Sequence, residues 1–364
     1  MPCVGPAHWF WLLALQVTKE HDFQDAPLFY RFQADEYPNV LNMLRAFDGT
    51  ARSASAVANS LRRHILAIYS KFLSADGTAV DYASIAKSPE FQEYSRQTVE
   101  LQGVDLTGLS RDETLALFIN VYNALVIHGH VELGKPQGTW ARLKFFSNVA
   151  YNIGGLTFSL NDIEQGVLRG NKVGPGELRK RFRSTSDPRL RFVMSPMDPR
   201  IHFALVCGAK SCPPIKVYAP ENVQEALTLA AEAFVEDDHN FRIDEAGRTV
   251  TVSRIFSWYK KDFGKDTIDA CHWAMQYLPP GKKAAMQRLL NLVGEASSSW
   301  GWNCISPAVS LKYFEYNWGS NTGSSAAFAK AKPTAKVPGE SGARAGSDSG
   351  SGARPQPKAQ SNKL

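Results

Sequence analysis

Cysteine is scarce in this sequence, which has five cysteines among 364 residues. They are Cys3, Cys207, Cys212, Cys271 and Cys304. An odd number of cysteines at so low a density does not form the disulfide framework of a small secreted protein. We therefore expect a reducing compartment and a cytoplasmic location.

The sequence also has few long apolar runs. Residues 9–17 are apolar except for Gln16, but the stretch is too short to cross a bilayer and lacks the preceding lysine or arginine of a secretory signal. We therefore expect a soluble protein with no transmembrane segment.

Basic charge is concentrated at one end of the chain. The net charge is +6, but residues 321–364 hold seven basic and two acidic residues, which leaves +1 for the remainder. Nucleic-acid binding needs basic residues clustered on a folded face, so no nucleic-acid partner is expected. Residues 320–364 are rich in glycine, serine, alanine, proline and lysine, which predicts a disordered basic tail.

The N-terminal half carries helix signals. Apolar residues recur at helical spacing over residues 54–73, and Ser88-Pro89 is a typical helix start. Ser110 and Glu113 form a capping box before a helix that is apolar on all faces, which predicts a central buried helix.

Strand signals follow the apolar helix. Residues 151–158 and 241–252 each have a glycine-containing turn between short runs, which predicts two hairpins. Residues 200–207 form a continuous apolar run, which predicts a buried strand. The fold class is therefore α+β, with a helical N-terminal part packed on a mixed or antiparallel sheet around the central helix.

Three polar features interrupt the predicted apolar elements. Asn120 and Asn123 lie one turn apart on the apolar helix, and each either binds the backbone of neighbouring loops or lines a polar pocket. His202 is the sole polar side chain within its predicted strand; it is a satisfied core residue, a general base or a ligand.

The third feature is the segment Cys207-Gly-Ala-Lys-Ser-Cys212 at the end of the predicted strand. Strand-end loops often build sites, and Lys210 could hold a nearby thiol as thiolate. Alternation along a regular strand would place His202 and Cys207 on opposite faces. Cys212 is therefore the better nucleophile candidate, and Cys207 is predicted to be a small core residue.

Other chemistries lack their residue patterns. The spacing between Cys207 and Cys212 is not the C-x-x-C of thiol–disulfide enzymes, and no glycine-rich phosphate loop precedes a helix. The remaining zinc-ligand candidates, His128, His130, Cys271 and His272, have no ligand spacing. We expect no metal and no cofactor.

Four blocks of the sequence stand out together. They are Phe118-Ile-Asn-Val-Tyr-Asn-Ala-Leu, Gly155-Leu-Thr-Phe-Ser-Leu-Asn-Asp-Ile-Glu, Ile201-His-Phe-Ala-Leu-Val-Cys-Gly-Ala-Lys-Ser-Cys-Pro-Pro and Ser253-Arg-Ile-Phe-Ser-Trp-Tyr-Lys-Lys-Asp-Phe-Gly. These blocks resemble the domain-of-unknown-function 547 family and occur in its order. The family usually closes with Tyr-Asp-Trp-Ser, whereas this chain has Tyr316-Asn-Trp-Gly. The resemblance implies a domain without an established reaction.

A shorter resemblance precedes it. His21-Asp-Phe-Gln-Asp and Leu28-Phe-Tyr-Arg-Phe are similar to the last segment of a DEP domain, a signalling module that some relatives carry, sometimes with a glutaredoxin domain. The predicted organisation is a DEP-like remnant at 1–35, a helical region at 36–109, the 547-like domain at 110–319 and the tail at 320–364. Peripheral membrane contact through the DEP module is expected only if that module is complete.

Two functions remain open. The first is an intracellular signalling-associated binding or scaffold protein whose pocket takes a protein segment or small molecule. The second is a thiol-dependent hydrolase or transferase of papain- or transglutaminase-like arrangement, in which Cys212, His202 and Asn120 are the catalytic candidates. Asn123, Lys210, Ser211 and Cys207 are the accompanying binding candidates. We favour the first, because no complete catalytic constellation can be assembled.

Overall fold

The computed structural model describes residues 39–74, 80–175, 177–206, 217–299 and 309–316. The DEP-like remnant, the basic tail and the segment of Cys207, Lys210, Ser211 and Cys212 lie outside these described residues. Within them, helices dominate and two small sheets are present, which confirms the α+β class.

The α-helices are numbered here in chain order. They are α1 (Ala54–Lys71), α2 (Tyr82–Ala86), α3 (Pro89–Thr98), α4 (Arg111–Leu133), α5 (Gly138–Asn148), α6 (Val223–Glu236), α7 (Ile255–Trp258), α8 (Lys260–Phe263), α9 (Thr267–Ala274) and α10 (Pro280–Ser299). A π-helix spans Asp162–Leu168, and 3₁₀ turns span Val99–Gly103, Pro188–Phe192, Pro199–Phe203 and Pro220–Asn222.

Helix α4 is the centre of the fold. The Ser110 side chain accepts from the Glu113 amide, the Glu113 carboxylate accepts from the Ser110 amide, and every residue from Thr114 to Val131 is buried. The capping box and the central burial are therefore confirmed. The helix is long and apolar enough to cross a membrane, but its most apolar stretch is wholly buried inside the fold, as in the core helix of a soluble protein.

The N-terminal helices pack around α4 as their periodicity predicts. Helix α1 buries Val57, Leu61, Ile65 and Ile68 on one face, and Ser53 accepts from the Ala56 amide at its start. Helix α3 begins with Ser88 as N-cap and Pro89 in the first turn. Each of these helices buries one apolar stripe against α4, which is apolar on all faces, and together they form the first apolar core.

The first sheet has the order β1-β2-β3 and contains the predicted hairpin. Strands β2 (Val149–Ile153) and β3 (Leu156–Ser159) are antiparallel, while β1 (Asn39–Val40) pairs with β2 in parallel. Gly154 and Gly155 have φ of 58° and 79°, the left-handed backbone that a two-residue type I′ hairpin turn requires.

The second sheet has the order β4-β5-β6 and also contains a predicted hairpin. Strands β4 (Phe241–Asp244) and β5 (Thr249–Val252) are antiparallel, and β6 (Ser310–Tyr313) pairs with β5 in parallel. This sheet belongs to a second apolar cluster, which includes Phe203 and Phe256, whereas α4 lies in the first.

The predicted strand over residues 200–207 is wrong for the described residues 200–206. Pro199–Phe203 is a 3₁₀ turn that Asp198 caps by accepting from the Arg200 amide. Proline fixes the first φ of the turn. Ile201 packs into the first apolar cluster and Phe203 into the second, so the apolar run reflects burial between two cores rather than one strand face. Without a strand here, alternation no longer places Cys207 and His202 on opposite faces. The analogy with papain-like folds also loses support, because it placed His202 on a strand.

The glycine pair gives a test of the hairpin. A Cβ at Gly154 would lie 2.8 Å from the Val104 carbonyl oxygen, whereas a Cβ at Gly155 would meet nothing within 4 Å. Gly155→Ala should therefore cost only the left-handed penalty of about 1–2 kcal/mol of unfolding free energy. Gly154→Ala should cost roughly 1–3 kcal/mol more, because the backbone must also move. Equal losses in urea denaturation would contradict this packing.

Candidate functional site

A cavity of about 370 Å³ lies where the π-helix, α5, α7 and the His202 turn meet. Its polar lining comprises Thr139, Arg142, Asn161, Glu164, Gln165, Glu177 and His202. Its apolar and aromatic lining includes Tyr122, Leu143, Phe146, Leu205, Trp258, Tyr259 and Tyr316. Apolar walls with a few convergent polar groups are typical of a small-molecule site.

The π-helix positions the acidic side of the cavity. Short π-helical turns occur frequently at functional sites, and here all residues of Asp162–Leu168 are buried. Asp162 accepts from the Ser159 amide at 3.0 Å and pairs with Arg181 and Arg189, which fixes the start of the turn. A Cβ at Gly166 would lie 2.5 Å from the Phe182 ring, so close packing requires glycine there.

Glu164 is buried but fully hydrogen-bonded. Tyr122 Oη donates to Oε2 at 2.8 Å, and Tyr259 Oη donates to Oε1 at 2.6 Å. Gln165 Nε2 also donates to Oε1, at 2.8 Å. These donors come from α4, from the residue between α7 and α8, and from the π-helix, so one carboxylate joins three parts of the chain.

His202 pairs with Asp262 at the edge of the cavity. Its Nε2 lies 2.9 Å from Asp262 Oδ2, and its ring stacks on Tyr259 with centroids 4.0 Å apart. Burial lowers the pKa of His202, and the Asp262 hydrogen bond only partly offsets this. The neutral ring must donate from Nε2 to the carboxylate, which leaves Nδ1 as the basic nitrogen.

Asp262 is the centre of a small charge cluster. Arg169 Nε lies 2.6 Å from Oδ2, and Lys172 Nζ lies 2.9 Å from Oδ1. Burial raises the pKa of this carboxyl, but the hydrogen bonds from His202 and Arg169 outweigh burial and hold the pKa well below its usual range. The Arg169 guanidinium also stacks over Tyr259, 4.8 Å from the ring centroid.

The two asparagines of α4 hold backbone. Asn120 donates to the Tyr218 carbonyl at 2.5 Å and accepts from the Tyr218 amide at 3.1 Å. Asn123 donates to the Ala204 carbonyl and accepts from the Val206 amide, both at 2.9 Å. This is the structural alternative considered for both residues. They fix the described chain on either side of residues 207–216.

Asn120 and His202 are both buried, but they have separate partners. Asn120 also donates to Asn59 Oδ1 at 2.9 Å, whereas the His202 ring is bonded to Asp262. Among the described residues, the catalytic candidates Asn120 and His202 therefore share no hydrogen bond. Cys207, Lys210, Ser211 and Cys212 lie outside the described residues, so their roles stay predictions.

Sequence reasoning missed three acidic residues: Glu164 and Glu177, which line the cavity, and Asp262, which pairs with His202. The sequence signal that marks Glu164 and Asp262 is their position inside the blocks that begin at Gly155 and Ser253. Glu177 has no such signal, because it follows Gly174 and Pro175 in an irregular segment.

Glu177 carries an unpaired oxygen. Asn161 Nδ2 donates to its Oε1 at 3.2 Å, and Arg181 lies 3.6 Å from the same oxygen. Oε2 is buried and makes no hydrogen bond of good geometry with the described residues. Burial raises the pKa of Glu177, and neither the Arg181 charge nor the nearby Gly174 backbone amide fully compensates. An unpaired buried acceptor is costly unless a ligand or water supplies a donor.

No group of three or more histidine, cysteine, aspartate or glutamate residues that could hold a metal occurs in the described part of the chain. The charge cluster at Asp262 is instead built from one carboxylate, two cations and one imidazole. The arrangement can bind polar groups and can hold an oriented neutral histidine.

Residues 106–235 match the family described as protein of unknown function, DUF547. The predicted resemblance is confirmed over this segment, the DUF547 region. It includes α4, the π-helix and His202, while Asp262 and Tyr259 come from the chain that follows. No curated protein and no solved structure matches the sequence.

Removing the Asp262 charge should destabilise the fold. Asp262→Asn leaves Arg169 buried without its counter-ion, so the unfolding free energy should fall by roughly 3–5 kcal/mol. The pKa of His202 should fall further, because the carboxylate raises it. Since the pKa of Asp262 is depressed in the fold, its stabilisation is complete above the unfolded value and is lost as pH decreases below it. In Asp262→Asn, the unfolding free energy should therefore decrease less as the pH is lowered than it does in the original chain.

The matched control is Asp238→Asn, because Asp238 pairs with Lys282 at the exposed surface. Such pairs are worth about 0–1 kcal/mol. Denaturant unfolding between pH 3 and 8, with histidine NMR titration, makes the comparison. Similar losses for the two variants would show that the Asp262 cluster does not stabilise the fold.

Proposed function

We propose that this chain is a binding module whose cavity takes an organic ligand with an apolar body and a hydrogen-bond-donating, positively charged group such as an amine. The observation that carries this proposal is Glu177 Oε2, a buried carboxylate oxygen on the cavity wall without a donor among the described residues.

The surroundings of Glu177 favour a donor from outside. A Cβ at Gly174 would lie 2.9 Å from Glu177 Oε2, so glycine leaves the space that this oxygen occupies. The other acidic wall residue, Glu164, already receives donors from Tyr122, Tyr259 and Gln165. An ammonium group at Glu177 would satisfy Oε2 and favour the charged carboxylate that burial disfavours.

The remaining walls suit an apolar body. Phe146, Leu205, Trp258 and Tyr316 line the same cavity, whose volume of about 370 Å³ lies in the usual range for small-molecule sites. Aromatic faces also attract cations, which adds to the preference for an amine. A small aromatic amine or a basic side chain of a peptide has the required size and chemistry.

A ligand series tests the proposal. Tryptamine should bind in isothermal titration calorimetry, while the uncharged analogue indole-3-ethanol and the anionic analogue indole-3-propionate should bind at least about tenfold more weakly. Glu177→Gln should remove most of the tryptamine preference. Binding should weaken as pH falls through the raised pKa of Glu177, because protonation removes the charge.

Glu225→Gln, an exposed substitution on α6, is the matched control and should bind tryptamine like the original chain. Equal binding of the amine, alcohol and carboxylate would exclude an amine-selective cavity. If the three compounds do not compete with one another for binding, they do not bind in the same cavity.

The proposed cellular role of this binding module is also part of the proposal. A signalling-associated binding or scaffold function, a cytoplasmic location and an association with DEP and glutaredoxin modules are supported by the sequence alone, through the scarcity of cysteine and the resemblance of residues 21–32. Binding of a protein segment through a basic side chain would connect that role with the cavity.

A second candidate is the thiol-dependent hydrolase or transferase. It is favoured by the His202–Asp262 pair, because a carboxylate that orients a neutral imidazole is the usual partner of a nucleophile. Asn123 and Asn120 fix Val206 and Tyr218, the described residues near the ends of the Cys207–Cys212 segment. Cys212 and His202 are its proposed nucleophile and base.

Thiol labelling separates the two candidates. If the enzyme candidate holds, iodoacetamide should label Cys212 faster than Cys207 at neutral pH, since Lys210 and a nearby imidazole would favour the thiolate. Cys212→Ser should then remove the fast phase, Cys207→Ser should retain it, and His202→Gln should slow it. Slow labelling of both cysteines with a transition near pH 8.5, the unperturbed thiol value, would exclude this candidate.

A further inference from the structure

Two neighbouring segments beside the cavity expose large apolar side chains. Trp140 is 82 % exposed and Leu143 40 % on α5, while Val173 is 42 % and Leu178 95 % exposed in the irregular segment after the π-helix. These four residues are called the rim here. Single exposed apolar residues are ordinary, but several on two neighbouring segments, one of them a tryptophan, are typical of an interaction surface.

The two segments are adjacent in space. Asn161 Nδ2 donates to Ser147 Oγ on α5 at 3.0 Å and to Glu177 Oε1 at 3.2 Å. Leu143 from α5 and Glu177 from the other segment also line the same cavity. Leu178 directly follows Glu177, so the two segments that carry the rim border the proposed binding site, one through Leu143 and the other through Glu177.

Basic side chains accompany the rim. Lys144, Arg179, Lys180 and Arg183 are exposed and form no ion pair with any described residue. The only acidic residues between 133 and 186 are Asp162 and Glu164, which are buried, and the partly buried Glu177. The exposed surface of this stretch is therefore positive.

A shallow groove lies within this basic surface. It encloses about 520 Å³ and is lined by Arg179, Lys180 and Arg183 together with Ser184 and Thr185. Guanidinium, ammonium and hydroxyl donors are the groups that bind phosphate oxygens in proteins. Leu178 borders the same groove, which places an exposed apolar side chain beside the anion-binding donors.

We propose that the rim and its basic groove dock this chain on an anionic phospholipid bilayer. Trp140 and Leu178 would enter the interfacial layer, and Lys144, Arg179, Lys180 and Arg183 would contact lipid phosphates. Exposed tryptophan and leucine beside cations is the combination that interfacial membrane binding uses, whereas a soluble polyanion would use the charges without the apolar side chains. This docking surface is separate from the DEP-like segment and does not require the amine-binding function of the cavity.

Vesicle co-sedimentation of the full chain tests the proposal. Binding should be strong for vesicles of phosphatidylcholine with 30 % phosphatidylserine, weak for phosphatidylcholine alone, and reduced by 0.5 M NaCl. The double substitution Arg179→Ser with Lys180→Ser should weaken partitioning by about fivefold for each cation removed. Leu178→Ser should weaken it by roughly fivefold or more, and both variants should fold because these side chains are exposed.

Matched controls keep the basic tail and alter other exposed positions. Leu229→Ser on α6, where the leucine is 50 % exposed, and Arg63→Ser on α1 should bind like the original chain. Lipids brominated in the acyl chain should quench tryptophan fluorescence, and Trp140→Phe should remove much of that quenching.

Several results would overturn the proposal. Equal binding to neutral and anionic vesicles would show that the basic groove does not contribute to membrane binding. Rim variants that bind like the original chain would assign the binding to the tail instead. If heparin binds with the same dependence on Arg179 and Lys180 while Leu178→Ser and Trp140→Phe have no effect on vesicle binding, the surface is a polyanion site and not a membrane-docking surface.

Discussion

The burial of helix α4 from Thr114 to Val131 is the constraint on which the rest of this structure depends. Because an unpaired buried polar group costs on the order of 1–3 kcal/mol, the polar side chains of such a helix are generally hydrogen-bonded, and His130 Nδ1 is the exception on this helix among the described residues. Asn120 reaches Tyr218, Asn123 reaches Val206, and Tyr122 reaches Glu164. His128 lies 2.7 Å from the Tyr151 hydroxyl. Each contact ties a different segment to the same helix, so polar satisfaction determines where those segments lie.

The same requirement governs the charge cluster at the junction of the two apolar clusters. Asp262 is buried, and its charge is retained because Arg169, Lys172 and His202 surround it. Phe263, the next residue, packs into the second apolar cluster, while Arg169 follows the π-helix of the first. The ionic contacts thereby join the two cores and add directional contacts to apolar packing, which has little directional preference.

Local signals predicted most of the elements. Capping at Ser88 and Ser110 and the turn at Gly154-Gly155 involve neighbours in sequence, so the chain itself carries the necessary information. The turn at Pro199–Phe203 was mistaken for a strand, because a short apolar run is the same whether a strand or a turn is buried between two cores. The sequence leaves open whether Asn120 and Asn123 bind backbone or line a pocket. Their hydrogen-bond partners decide this in favour of backbone, and those partners are about 80 to 100 residues away in sequence.

The site was harder to predict for the same reason. His202 was identified because it interrupts an apolar run, but its partner Asp262 lies 60 residues away within a polar-rich helix, where an aspartate is unremarkable by composition. Glu177 could not be recognised from its neighbours, since its significance depends on burial against Gly174 and on the absence of a described donor at one oxygen. Such properties belong to the folded state, and periodicity carries no information about them.

Hydrogen-bond satisfaction also separates the structural from the functional side chains in this cavity. Glu164 has donors on both oxygens. It would lose contacts if a ligand displaced Tyr122 or Tyr259, so it maintains the shape of the cavity. Glu177 can gain a contact at Oε2 without losing its bond from Asn161 at Oε1. A ligand gains affinity where it satisfies a group that the fold leaves unsatisfied, and for this reason we propose that Glu177, rather than the more conspicuous histidine pair, determines the specificity of the cavity.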